Sequence, residues 1–124
     1  MCMYTRMGAC GSLLVFSWVT YGDSWVESSS LGVPDPSKLQ GFTHYNIAFW
    51  MSTGASDNAQ EWVQGSQEQQ KAIVKSYNDA GIRLGVAVFG ATDKPQSDNN
   101  DPWDLAKKIV KFVKNNNLQG VDVE

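Results

Sequence analysis

The chain has 124 residues, of which 42% are hydrophobic and 19% are charged, a composition typical of one globular domain or part of one. The 10 Lys and Arg residues against 13 Asp and Glu residues give a formal net charge of -3. This balance argues against nucleic acid or an anionic membrane surface as a partner, because both need clustered positive charge.

The amino-terminal segment says little about compartment. Cys2 and Cys10 have no cysteine or histidine partner at ligand spacing, so they do not predict a metal site. Arg6 and the apolar stretch 7–19 resemble a signal peptide only faintly, since glycines interrupt the stretch and no small-residue cleavage site follows. No run reaches the roughly 20 apolar residues that a membrane span needs. We expect residues 1–12 to be poorly ordered.

Four apolar runs rich in β-branched and aromatic residues predict four β-strands. The third run, LGVAVFG, is apolar at almost every position, as expected for a parallel strand covered on both faces. The βαβαβαβ order predicts an α/β fold with parallel strands and right-handed crossovers. The runs span residues 14–21, 44–51, 84–89 and 118–123.

An amphipathic helix is predicted over residues 66–80, between the second and third runs. Ser66 stands three residues before Gln69, the spacing of a capping box, and Gly81 follows as a stop signal. The residues before it, 52–65, are expected to form a long loop. The apolar residues of the helix recur at Ile73, Val74, Tyr77 and Ala80.

A second helix is predicted with Asp101 as its N-cap and Pro102 in its first turn, and three asparagines at 115–117 end it. Its polar side carries four lysines, which we interpret as a solvated face. A short helix is expected near 37–40, and a second long loop at 92–100. The apolar stripe of the second helix is Leu105, Ile109, Phe112 and Val113, and its lysines are Lys107, Lys108, Lys111 and Lys114.

The last residues of the sequence set two carboxylates on one face of a strand. Side chains alternate faces along a strand, so Asp122 and Glu124 point the same way at the carboxyl end of the fourth run. Sites that cleave glycosidic bonds use such groups, because one carboxyl donates a proton while its neighbours hold charge and orientation. The pattern predicts a sugar-hydrolase site whose next position on that face, 126, lies beyond the 124 residues of the sequence.

Three stretches in this order resemble glycoside hydrolase family 18, the chitinase family, and especially its fungal branch. They are FTHYNIAF, VAVFGAT and LQGVDVE, the last similar to the opening of an Asp-x-x-Asp-x-Asp-x-Glu signature, and VTYGDSW fits the first strand. The resemblance implies a (β/α)8 TIM barrel, which needs about 250 residues. Residues 13–124 would then be a truncated catalytic domain, the first half of the barrel, with strands one to four and their connecting helices.

The family implies cleavage of β-1,4-linked N-acetylglucosamine polymers by substrate assistance, with the acetamide oxygen as the nucleophile and no cofactor or metal. By resemblance, Asp122 matches the second signature Asp, and Glu124 falls where the third Asp orients the acetamide. The proton-donating Glu would lie two residues later, so the chain as given is expected to be inactive. If the chain shares the location that is usual in the family, it is extracellular.

Three residues differ from the family motifs. Gln119 replaces the first signature Asp, Ala87 a third-strand Ser and Phe89 a Gly, which weakens hydrogen bonding around the acids.

Tyr21 and Phe49, at the carboxyl ends of strands, are the best candidates for contacts to the sugar, which is expected to be chitin or an N-acetylglucosamine oligosaccharide. Trp50 should point to the opposite face and pack. His44, at the far end of its strand, is interpreted as a hydrogen-bonded structural residue. The other large aromatics near strand ends or loops are Trp25, Trp62 and Trp103.

Two other readings stay open. The first is a non-catalytic, chitinase-like sugar-binding protein whose altered signature is a natural loss. The second is a complete flavodoxin-like domain, although no phosphate-cradling glycine loop follows the first strand. A half barrel would also leave two sheet edges and an apolar concave face uncovered, which favours self-association.

Overall fold

A computed structural model of the protein describes residues 16–23, 30–95 and 98–124. The expected disorder of residues 1–12, and Trp25, lie outside the described residues. The elements in chain order are β1 (Val19–Gly22), a 3-10 helix (Pro36–Leu39), β2 (His44–Met51), β3 (Gly54–Ala55), α1 (Asp57–Val63), α2 (Gln67–Asp79), β4 (Arg83–Val88), α3 (Pro102–Asn115) and β5 (Val121–Val123).

The sheet has four parallel strands in the order β1-β2-β4-β5, and β3 pairs antiparallel with β2. Tyr21 is in register with Asn46, Asn46 with Gly85, and Ala87 with Asp122. Each of the four predicted apolar runs overlaps one of the parallel strands. The α/β fold class is therefore confirmed, and the arrangement is that of part of a (β/α)8 barrel.

Local sequence signals set the two long helices as predicted. Ser66 Oγ accepts from the Gln69 amide at 3.2 Å and Gln69 Oε1 accepts from the Ser66 amide at 2.9 Å, which completes the capping box of α2. Asp101 Oδ1 accepts from the Trp103 amide at 2.9 Å at the start of α3. These bonds satisfy amides that have no partner within a helix.

The hydrophobic core lies between the sheet and the helices. On β4, Leu84, Val86 and Val88 point toward the helices and are fully buried. Alternation along the strand places Gly85 and Ala87 on the other face. Other helical and strand side chains in this core include Trp50, Trp62, Tyr77, Leu105, Ile109, Tyr45 and Ile47.

The prediction of a loop over residues 52–65 is wrong, because β3 and α1 lie within it. The helix forms because Ala59 and Trp62, three residues apart, are both buried against the core. The Trp62 indole N–H also donates to the Asn116 carbonyl at 2.9 Å. The polar residues around this pair concealed the helical spacing. The described residues of 92–100 form turns and irregular backbone, as expected for a loop.

The described concave face carries polar as well as apolar groups. Its described side chains include Asn46, Ala87 and Asp122, together with the bare backbone of Gly85. The large, fully buried side chains of β4, and Tyr45 and Ile47 of β2, lie on the helix side. Within the described part of the chain, no helix combines the length and apolar character that a membrane crossing requires.

Candidate functional site

The candidate site lies on the concave face at the carboxyl ends of the parallel strands. The Tyr21 hydroxyl of β1 donates to Asp122 Oδ2 of β5, although 101 residues separate the two in sequence. In a flat sheet, three strand spacings of about 4.8 Å would separate β1 from β5 by roughly 14 Å. Side-chain contact across that span shows that the sheet curls strongly, as a barrel wall does.

Asn46 of β2 completes a group of three side chains with Tyr21 and Asp122. Its Nδ2 donates to Asp122 Oδ2 at 3.4 Å, and its side chain is buried. Gly85 of β4 makes this contact possible, because a Cβ at that position would lie 2.5 Å from Asn46 Oδ1 and 3.0 Å from the Gly120 carbonyl oxygen. Because Gly85 has no side chain, the Asn46 side-chain amide of β2 has room to reach the Asp122 carboxylate of β5.

The acids control the ionisation of Tyr21. The hydrogen bond to Asp122, then partial burial, then the negative charges of Asp122 and Glu124 raise the pKa of Tyr21 to about 12, while a hydrogen bond from Asn46 acts in the opposite direction. The phenol therefore keeps its proton at physiological pH and serves as a permanent donor to Asp122. The charge of Glu124 therefore adds to the effect of Asp122 on the Tyr21 phenol.

Glu124 extends the strand ladder by one residue, since its amide donates to the Val88 carbonyl at 3.2 Å. It lines a cleft of about 440 Å³ between the end of β5 and the turn that follows β4. The cleft also contains Phe89, Asp93 and Lys94. Glu124 is exposed, so its carboxylate is accessible to a ligand in the cleft.

Phe49 lies next to the turn that follows β4. Its ring sits against Gly90, with Cε1 3.2 Å from the position that a Cβ of Gly90 would take. Gly90 belongs to the lining of the cleft beside Glu124. The structure therefore brings Tyr21 to Asp122 and places Phe49 against Gly90 of the cleft lining. The roles of Tyr21, Phe49, Asp122 and Glu124 in binding or catalysis stay predictions.

Trp50 and His44 follow the structural roles expected for them, whereas Trp103 does not pack in the core. Trp50 is buried and packs its ring edge-on against Phe89 at 6.3 Å. Trp103 is 77% exposed on α3. His44 Nδ1 hydrogen-bonds the Thr43 hydroxyl at 2.8 Å, at the end of β2 far from the acids. The four lysines of α3 are exposed, as predicted.

Sequence reasoning missed Asn46 and Gly85 as site residues. An asparagine inside an otherwise apolar strand was the available signal, because a buried amide needs a partner. Gly85 carried a weaker signal, as a glycine in the middle of a buried strand often marks a close approach of another group. Both lie on the face opposite to the large apolar residues of their strands.

The side chains of Gln119 and Ala87, which differ from the motifs that the sequence resembles, give Asp122 no hydrogen bond. Gln119 does not reach the acids, because its Oε1 accepts from the Leu84 amide at 3.1 Å at the other end of β4. Ala87 lies in register with Asp122 and offers it only a methyl group. Asp122 thus takes its side-chain hydrogen bonds from Tyr21 and Asn46. Among the described residues, no group of three His, Cys, Asp or Glu side chains could hold a metal ion.

A curved parallel sheet with helices outside and acids at the carboxyl ends of its strands is the architecture in which α/β barrels keep their active sites. Among solved structures, the chain is similar to a GH18 chitinase from Pseudoalteromonas aurantia, with a TM-score of 0.59 and 23% sequence identity. The match covers 88% of this chain and 41% of that chain. The fold is therefore chitinase-like. No family model and no curated protein matches the sequence.

Proposed function

We propose that the chain is the amino-terminal half of a family 18, fungal-type chitinase-like glycoside hydrolase, and that it carries the acetamide-binding part of the site. The observation that carries the proposal is the contact of Tyr21 with Asp122 across the concave face. It supports a preformed acidic site at the strand ends. The chitinase-like fold and the order of the motifs along the sequence support the same reaction class.

The proposed chemistry assigns one task to each acid. The acetamide oxygen of the substrate attacks the anomeric carbon, the glycosidic bond breaks, and the leaving oxygen takes a proton from an acid. Glu124 orients the acetamide and stabilises the positive charge that develops on it. Asp122, held by Tyr21 and Asn46, supplies a fixed negative charge beside Glu124. The proton donor is expected at position 126, so the 124-residue chain should bind the sugar without cleaving it.

Titration calorimetry with the N-acetylglucosamine tetramer tests the proposed site. The chain should bind the tetramer, and Asp122→Ala or Glu124→Ala should weaken binding at least about tenfold, a loss of roughly 1.4 kcal/mol. Asp104→Ala removes an exposed acid from α3 and should leave the affinity unchanged. The glucose tetramer, which lacks acetamides, serves as the ligand control. Equal affinity for both tetramers would contradict an acetamide-binding role.

A chromogenic chitobiose glycoside tests the proposed inactivity of the chain. No release of the chromophore is expected from the purified 124-residue protein. Turnover that Asp122→Asn abolishes would contradict this expectation, because it would require a proton donor within the chain.

A non-catalytic sugar-binding protein is the second candidate. It is favoured by Ala87, which gives Asp122 a methyl neighbour, and by Gln119, whose side chain bonds the Leu84 amide instead of the acids. Oligosaccharide binding without hydrolysis by the product of the full-length transcript would favour this candidate. Hydrolysis by that product would exclude it.

Chitin or an N-acetylglucosamine oligosaccharide is accordingly the proposed ligand. Association of two copies through the edges of the sheet also stays a prediction. Val121 and Val123 support it, since they are 40% and 66% exposed on β5, the last strand of the described sheet. Light scattering at increasing protein concentration would measure it.

A further inference from the structure

Two turns at the carboxyl ends of β2 and β4 are joined by one carboxylate. Asp93 Oδ2 accepts from the Ser52 amide at 2.5 Å, and Asp93 Oδ1 accepts from the Ser52 hydroxyl at 2.7 Å. The two residues are 41 positions apart in sequence, and both are half-buried. A carboxylate that accepts two hydrogen bonds from one residue fixes both distance and orientation.

The turn that Asp93 closes has an unfavourable backbone conformation. Phe89 has a φ of +77° and Gly90 a φ of +80°, so two successive residues are left-handed. Glycine adopts this conformation freely, but a bulky residue such as phenylalanine does so only where surrounding contacts impose it. Those contacts include the Phe89 amide, which donates to the Trp50 carbonyl at 2.8 Å, and the bonds between Asp93 and Ser52.

The same turn forms one side of the cleft that contains Glu124. Residues 89–91 and 93–95 line it from the turn, and Val123 and Glu124 line it from β5. Ser52 belongs to neither side, since it lies in the turn after β2. The Asp93 bonds thus anchor the wall of the cleft to a neighbouring strand end that does not contact the cleft itself.

We propose that Asp93 is a positioning residue that holds the turn after β4 at a fixed distance from Glu124 and so sets the affinity of the cleft for an N-acetylated oligosaccharide. The inference rests on the proposed function, which it deepens by assigning the second wall of the binding site. A ligand in the cleft would meet a preformed wall, so binding would not have to order the turn.

Calorimetric titration of the 124-residue chain with the N-acetylglucosamine tetramer tests the inference. Ser52→Ala removes one of the two donors, and Asp93→Asn disturbs both bonds, so affinity should fall about threefold and about tenfold respectively. Ser52→Thr keeps both donors and should bind like the wild type. Asp98→Asn makes the same charge change in an exposed part of the same loop and should have no effect.

Two further measurements separate positioning from general stability. The double variant Ser52→Ala/Asp93→Asn should bind no more weakly than Asp93→Asn, because both changes remove one interaction. Leu39→Ala removes a buried core side chain that does not line the cleft, so it should lower the unfolding temperature without changing the affinity.

The outcomes distinguish the inference from the proposed function. Wild-type affinity in both Ser52→Ala and Asp93→Asn would overturn the inference and leave the proposed function intact. A loss of affinity in Leu39→Ala equal to that in Asp93→Asn would also overturn it, since stability alone would then explain the effect. A wild-type chain that does not bind the tetramer would overturn the proposed function, and the inference with it.

Discussion

The two faces of β4 contrast sharply although they belong to six consecutive residues. Toward the helices, Leu84, Val86 and Val88 are fully buried in the apolar core. Toward the concave side, Gly85 and Ala87 present almost no side chain. The first face is built for packing, while the second leaves space for groups that arrive from neighbouring strands.

β2 repeats the same division. Tyr45 and Ile47 pack against the helices, while Asn46 between them reaches across Gly85 to Asp122. The difference teaches that stability and the candidate site depend on alternate residues of the same strands. Substitutions on the helix side should therefore change the free energy of unfolding most, and those on the concave side should change the geometry and ionisation of the site.

The largest expected effect is that of Leu84→Ala on the helix side. Leu84 is fully buried, so its truncation removes apolar contact and leaves a cavity, at a cost of about 2–5 kcal/mol in the free energy of unfolding. Denaturant titration measures this loss. The control is Val110→Ala on α3, where the side chain is 51% exposed and the expected change is within about 0.5 kcal/mol. Similar losses in both variants would contradict the division between faces.

Gly85→Ala should have the next largest effect, by crowding the concave side. The new Cβ would lie 2.5 Å from Asn46 Oδ1 and 3.0 Å from the Gly120 carbonyl oxygen, and the second of these is backbone that cannot move aside easily. We expect a loss of about 1–3 kcal/mol in unfolding free energy, together with weaker oligosaccharide binding as Asn46 leaves Asp122.

Gly120→Ala is the matched control for this crowding. Among the described residues, no atom outside Gly120 and its two chain neighbours lies within 4 Å of a Cβ at Gly120, and its backbone φ is not left-handed. The substitution should change stability by less than about 1 kcal/mol. If Gly120→Ala lowered stability as much as Gly85→Ala, the conformational freedom of glycine rather than steric crowding by the new Cβ would explain both losses.

A pair of neighbouring tyrosines sharpens the comparison within the helix side. The Tyr77 hydroxyl donates to the Pro34 carbonyl at 2.7 Å, so Tyr77→Phe should cost about 1 kcal/mol. The Tyr45 hydroxyl is buried without a hydrogen-bond partner among the described residues, so Tyr45→Phe should be neutral or slightly stabilising. Thermal unfolding of both variants measures the difference, and a larger loss in Tyr45→Phe would contradict it.

The fold could be predicted from local sequence signals. The apolar runs predicted the parallel strands, and two N-terminal capping patterns, Ser66 with Gln69 and Asp101 with Pro102, predicted the starts of the long helices. The helix α1 was not predicted, because its stability comes from burial of Trp62 in the core rather than from a long apolar repeat. Such tertiary contacts override weak local preference and are not visible in a short polar stretch.

The site was only half predictable for a similar reason. Alternation along one strand placed Asp122 and Glu124 together, since that rule acts within a single element. The positions of Tyr21 and Asn46 relative to Asp122 depend on the order and register of the strands and on how strongly the sheet curls. The bonds between Ser52 and Asp93 depend on the paths of two turns, which no sequence periodicity encodes.

The smallest effect on stability is expected from the ionisation of Tyr21. The pKa of this phenol is also the most direct measurement of the site. The pKa of Tyr21 is raised from 10.0 to about 12, first through its hydrogen bond to Asp122. Asp122→Asn should therefore bring the ionisation back toward 10, and Glu124→Gln should lower it less, because Glu124 acts only through its charge.

Tyrosinate absorbance during an alkaline titration measures this shift. Burial raises the pKa of Tyr45 to about 12 as well, so the Tyr21 signal is the difference between the wild type and Tyr21→Phe. Because the folded pKa exceeds the unfolded value of 10.0, the Tyr21 proton stabilises the fold fully below pH 10 and loses this effect as the pH rises to about 12. A Tyr21 pKa unchanged by Asp122→Asn would show that the hydroxyl and the carboxylate do not meet, and the curled sheet inferred from their contact would lose its main support.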